Sequence, residues 1–167
     1  MSTQLSRQMI LLNQTDKMLN DLYHTYAASV HLSDSVLWVL YILCTEGDGL
    51  TQKEICDTWY YSRQTINTCL KHLEKEGYIC LAPLAENRKS KQILFTKEGR
   101  NFAGKIIPPL LEAENASLDQ MTPEEQECLI MLSQKRTDLL RTQLLNIEKT
   151  ERHPDGHPPL TERNNYL

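Results

Sequence analysis

One unbroken stretch, residues 50 to 99, constrains this chain more than any other: LTQKEICDTWYYSRQTINTCLKHLEKEGYICLAPLAENRKSKQILFTKEG. Thr51-Gln52-Lys53-Glu54 is a capping box, in which a hydroxyl and a carboxylate satisfy each other's exposed backbone amides. It starts a short helix that ends near Thr58. Ser62 caps a second helix running to about Glu76, and Gly77 stops it. Residues 78 to 81 and 92 to 96 read as strands. Residues 82 to 91 between them, with a proline and three basic side chains, read as an exposed loop.

The second helix has two unlike faces. Ile66, Cys69, Leu70 and Leu73 fall on one side, while Gln64, Thr68 and Lys71 fall opposite with Asn67 and Thr65 on the shoulders. No acidic residue enters the outer face until Glu74 and Glu76, at the far end. The major groove of B-DNA admits one α-helix, which reads base edges through polar side chains near its N-terminus. The expected DNA-contacting residues here are Ser62, Arg63, Gln64, Thr65, Asn67, Thr68 and Lys71. Gln64 and Asn67 can each pair with an adenine edge, and Thr65 or Thr68 can touch a thymine methyl. Arg63 and Lys71 suit phosphate, which positions without reading sequence. In the loop, Arg88 is placed to enter a minor groove, with Asn87, Lys89, Ser90 and Lys91 against the backbone. The alternative is an ordinary solvated helix face and a soluble turn.

The net charge of −4 looks wrong for a partner of nucleic acid. Residues 50 to 100, however, hold nine Lys/Arg against six Asp/Glu, an excess of +3 that leaves −7 for the rest. Positive charge is thus concentrated where phosphate would lie. The five cysteines, at 44, 56, 69, 80 and 128, have no CxxC spacing and are expected to be buried reduced thiols. The scattered histidines form no metal-ligand pattern; His153 and His157 flank a turn in the tail. No Gly-rich phosphate loop or nucleophile motif is present, so neither catalysis nor a cofactor or metal is expected. No run of 18 apolar residues or apolar leader is found, and the expected location is the cytoplasm, without membrane contact.

Outside the central stretch, Leu5, Met9, Leu12, Leu19, Leu22 and Tyr26 mark an amphipathic helix over residues 4 to 28, interrupted by Asp16. Ser33 caps a second helix to about Glu46, apolar on more than one side and therefore central. A long helix follows from about Lys97, with Phe102, Ile106 and Leu110 on one face; Pro108-Pro109 inside it is expected to kink or break it. Thr122-Pro123-Glu124-Glu125 starts a last helix carrying Leu129, Leu132, Leu139 or Leu140, Leu144 and Ile147. The stripes of the first and last helices exceed what a small central domain can cover. They are expected to pack on each other and on a second copy, giving a homodimer; a monomer covering its own stripes is the alternative. The expected division is an N-terminal dimerisation helix at 1–32, a central domain at 33–100, C-terminal dimerisation helices at 101–149 and a disordered polar tail at 150–167.

From residue 33 to about 147 the chain resembles the MarR (multiple antibiotic resistance regulator) family. The resemblance rests on LTQKEI, SRQTINTCLKHLEKEGYI, NRKSKQILFTKEGR and long helices at both ends; FTKEG is similar to the family's L-T-x-x-G. It implies a mainly α fold with a small β-hairpin wing, a winged helix-turn-helix flanked by dimerisation helices. It also implies a homodimeric transcription regulator, often a repressor, that binds double-stranded DNA at a pseudo-palindromic operator and is often released by a small molecule. Two positions depart from the family. Its wing carries D-x-R, where this chain has Glu86, Asn87 and Arg88; its inter-helix turn has glycine, where Tyr60 stands, so Tyr60 is strained or the turn differs. The family's effector pocket would fall at Tyr23, His24, Trp38 and Tyr41, suited to a small aromatic or apolar ligand, with ordinary core packing as the alternative. Other readings are a winged helix that binds protein instead of DNA, and a thiol-based redox sensor, although Cys44 and Cys56 lack an evident activating neighbour.

Overall fold

In the computed structural model, which describes residues 7–84 and 90–150 (148–150 by backbone alone), the helices from residue 34 onward begin where their capping chemistry places them. The elements are α1 (Arg7–Ser29), α2 (Asp34–Thr45), α3 (Gln52–Trp59), α4 (Arg63–Lys75), β1 (Ile79–Pro83), β2 (Lys91–Phe95), α5 (Lys97–Leu118) and α6 (Pro123–Thr150). Ser33, Ser62 and Thr96 cap α2, α4 and α5 by accepting from the amides of Val36, Thr65 and Gly99. The predicted box at α3 is complete: the Thr51 amide donates to Glu54 Oε2 at 2.6 Å, and the Glu54 amide donates to Thr51 Oγ1 at 3.2 Å. Thr122 and Glu125 repeat the exchange before α6. Each such cap stabilises its helix by about 1 kcal/mol.

Helix α2, apolar all round, is the centre of the core, with Leu37, Val39, Leu40 and Ile42 fully buried. Around it pack Ile55 of α3, Ile66, Leu70 and Leu73 of α4, Ile79 and Ile93 of the hairpin, and Ala103, Ile106 and Ile107 of α5. The hairpin is antiparallel, in register from Ile79 opposite Phe95 to Pro83 opposite Lys91. Both strands reach further into the connection than the sequence predicted: Ala82, Pro83 and Lys91 are paired, not loop, while Tyr78 and Thr96 fall outside the strands. Pairing continues past Pro83 because β1 is an edge strand, where proline's missing donor can face outward. The segment before α3 adds a third edge to this sheet. The Gly49 amide donates to Ile93 O at 2.7 Å, the Ile93 amide donates to Leu50 O at 2.8 Å, and Thr51 bridges Gln92.

Helix α5 is not broken at its proline pair: Pro108 and Pro109 lie within one continuous helix. The prolines withdraw donors from the carbonyls of Gly104 and Lys105, and all four residues are exposed, so water can serve the freed oxygens. On the opposite side Ile106, Ile107 and Leu110 are buried, and Tyr26 Oη donates to Ile106 O at 2.6 Å. Packing carries the helix through the gap in its own hydrogen bonds.

The terminal helices keep their apolar stripes in the open. Leu19 and Leu22 of α1 and Leu129, Leu132 and Ile147 of α6 are among the large apolar side chains left exposed. The two helices meet through Asp16, the residue that interrupted the first stripe. Arg136 grips its carboxylate with bonds of 3.1 and 2.8 Å and holds it below the usual carboxylate range. Among the described residues no single helix is long and apolar enough to cross a membrane. Residues 151–167 of the expected tail lie outside the described residues.

Candidate nucleic-acid interface

Helix α4 is seated by its inner face: Ile66, Cys69, Leu70 and Leu73 are all buried. Arg63, Gln64, Asn67, Thr68 and Lys71 are exposed on the outer side, as the sequence predicted. Ser62 and Thr65 are only half exposed, and their hydroxyls lie 2.7 Å apart within the cap. They hold the start of the helix in place. The Thr68 hydroxyl donates to Gln64 O at 3.0 Å, so its proton is used within the helix.

Between α3, α4 and the hairpin lies a cleft of about 460 Å³, bordered by Gln52, Lys53, Arg63, Asn67, Ser90 and Lys91 among others. It joins Lys91 to the α4 set across 28 residues of chain. Gln52 and Lys53 were missed in the sequence. Their signal was the capping box, which places both on the first turn of α3, beside the start of α4. Gln52 Nε2 donates to Arg63 O at 2.7 Å and ties the two helix starts together, while Lys53 pairs with Asp57. Asp48 is a further omission: its Oδ2 accepts from the Phe95 amide at 3.1 Å and from Arg100 at 2.7 Å, anchoring the base of the hairpin. Asn87, Arg88 and Lys89, with Glu86, lie outside the described residues.

Known proteins share both this fold and this sequence pattern. Residues 32–90 match the model of the MarR family. Over 127 residues the chain is 30% identical to the HTH-type transcriptional regulator PapX of Escherichia coli, an alignment covering 73% of this chain and 75% of that protein. The chain belongs to the MarR family. Among solved structures, NMB1585, a MarR family regulator from Neisseria meningitidis, superposes with a TM-score of 0.74 at 19% identity, covering 84% of this chain and 99% of that one. A MarR family transcriptional regulator from Listeria monocytogenes, complexed with 26mer DNA, gives 0.66 at 19% identity and covers 92% and 100%. These establish a winged helix-turn-helix.

Tyr60, where the resemblance sets up an expectation of glycine, adopts the left-handed conformation that glycine favours, at φ 56° and ψ 29°. Tyr60 is 73% exposed, with its ring centre 5.8 Å from the Arg141 guanidinium. The turn is held instead by Trp59, whose Nε1 donates to Glu46 Oε1 at 2.7 Å. A non-glycine residue in this region costs about 1–2 kcal/mol, part of which glycine returns through its freer unfolded state. Tyr60→Gly should therefore raise stability by about 0.5–1 kcal/mol in a urea titration; a loss of stability would show that the ring contributes more than the strain.

Of the four candidate pocket residues in this MarR-family chain, three come together. Trp38 lies 4.8 Å from Tyr23 and 5.2 Å from Tyr41, ring centre to ring centre, and Trp59 joins them. Burial, and hydrogen bonds to Glu114, push the Tyr23 hydroxyl far up and that of Tyr41 to about 12. His24 is not part of this cluster; it lies exposed and pairs with Asp34 at 2.9 Å. The cysteines correct another expectation. Cys69 is buried and Cys56 half-buried, but Cys44, Cys80 and Cys128 are exposed. Cys80 follows buried Ile79 on the opposite face of β1, where alternation turns it outward. Burial pushes the Cys56 and Cys69 thiols up, away from the reactive thiolate.

Proposed function

We propose that this MarR-family chain is a sequence-specific DNA-binding transcriptional regulator, a repressor that holds a pseudo-palindromic operator as a homodimer. One observation carries the reading: α4 buries its whole apolar face and offers Arg63, Gln64, Asn67, Thr68 and Lys71 outward, with no acid before Glu74. Amides and hydroxyls of that kind match base edges, and flanking cations match phosphate. Asn87, Arg88, Lys89 and Lys91 supply the wing contacts of this reading. The Listeria relative that carries DNA supports it. The exposed apolar stripes of α1 and α6 support a second copy as the partner. An aromatic or apolar effector that parts the rings of Tyr23, Trp38 and Tyr41 would release the operator.

Selection of bound duplexes from a random pool tests this directly. The selected sites should hold two inverted half-sites about one helical turn, ~10 bp, apart. Affinity should fall steeply with salt, since phosphate contacts release counterions. Selection of lone half-sites, or of no sequence at all, would overturn the reading.

A further inference from the structure

Glu114 is the junction of three helices. One carboxylate oxygen accepts from Tyr23 Oη of α1 at 2.7 Å, and the other accepts from Tyr41 Oη of α2 at 2.9 Å. Its place on α5 is telling. The buried residues of that helix are Gly99, Ala103, Ile106, Ile107 and Leu110, and none follows. Glu114, one turn beyond Leu110, is thus the last hydrogen-bonded tie, among the described residues, between α5 and the domain that carries α4. The link extends to the turn before α4, because Trp38 lies against both tyrosines and 6.2 Å from Trp59. Apolar packing resists separation but is non-directional. Hydroxyl bonds to a carboxylate are directional and about twice as strong as neutral ones, so they resist a change of angle.

We infer that Glu114 is a positioning residue: by joining Tyr23 and Tyr41 it sets the angle between the reading domain and the terminal helices, and so the half-site spacing a dimer accepts. The inference rests on the dimeric, DNA-binding reading above. Inserting one base pair between half-sites moves them ~3.4 Å apart and rotates one by roughly 35°. A firmly held reading domain cannot follow that rotation, and a loosened one can.

The test uses the full chain and the selected operator, with spacers longer and shorter by one base pair. The wild type should lose at least about 10-fold in affinity on either spacer, the cost of twisting DNA back into phase. Glu114→Ala and the double variant Tyr23→Phe/Tyr41→Phe should stay within about threefold across the series. Glu114→Gln should fall nearer the wild type than the alanine variant does, since an amide can accept from one hydroxyl and donate to the other tyrosine's oxygen through neutral bonds of about half the strength. Affinity for an isolated half-site should be the same in all, which separates positioning from general damage. Should Glu114→Ala fail to fold, the tyrosine pair, which removes only two oxygen atoms, decides the matter. A folded tyrosine pair with the wild-type spacing profile overturns the inference while leaving DNA binding intact. A wild type that binds no duplex overturns the functional reading itself.

Discussion

Gly99→Ala should cost the protein about 3 kcal/mol or more and lower its melting temperature by roughly 10 °C. A Cβ built on Gly99 would lie 1.8 Å from the Tyr78 carbonyl oxygen and 2.7 Å from its carbon. Both are backbone atoms, so no side chain can swing aside. Tyr78 is itself held on every side. Its amide donates to Leu73 O at 2.9 Å, its carbonyl accepts from the Thr96 amide at 3.1 Å, and its ring stacks on Phe102 at 4.1 Å. Relief would require α5 and β1 to separate, which breaks the Thr96 cap and opens the core at Ile79 and Ala103. Overpacking against a rigid neighbour costs upward of about 3 kcal/mol, a large share of the 5–15 kcal/mol that holds a domain together. Circular dichroism melts will show it. Gly104→Ala is the control: it lies in the same helix with no atom beyond the adjoining residues and its own helix backbone within 4 Å of the added carbon, and it should gain up to about 1 kcal/mol. A Gly99→Ala variant melting within about 3 °C of wild type would mean that α5 does not approach β1 this closely.

Gln64→Glu and Asn67→Asp should each abolish operator binding while leaving the fold untouched. Both side chains are exposed on α4, and each replacement keeps the shape. The amide that could donate to a base becomes a group that only accepts, and it brings a negative charge among phosphates. Truncation to alanine forfeits about 1–3 kcal/mol. Charge reversal adds repulsion, so affinity should fall by more than about 100-fold. Stability should move the other way or not at all, because an acid near a helix N-terminus is worth about 0.3–1 kcal/mol. Gel-shift and urea titrations on the same preparations read both. If both variants bind as wild type, α4 is not the reading element.

Opposite movement of affinity and stability reflects how differently the two kinds of residue were legible. The caps at Ser33, Thr51, Ser62 and Thr122 close bonds within three residues and were read before any fold was known, whereas Thr96, read as the end of a strand, proved to be a cap as well. The two faces of α4 were legible for the same reason, since apolar spacing defines a face without reference to a partner. Tyr60 was half legible: its position raised the question of strain, and only the backbone answered it.

Some of what escaped the sequence depends on distance along the chain. Glu114 meets Tyr23 across 91 residues and Tyr41 across 73, and no local pattern announces a carboxylate that will find two hydroxyls. Pro108 and Pro109 looked like a break because the rule for prolines counts only the helix's own bonds; burial of Ile106, Ile107 and Leu110 overrides it. Three thiols expected inside lie outside because the reading took cysteine's average preference for each one's position. The order of residues by itself determined where helices start, where they stop and which side of each is apolar, because those depend on bonds and spacings that close within one or two turns. Only the tertiary structure decided what the far end of each side meets, because the crossing of helices is a sum over contacts from the whole chain.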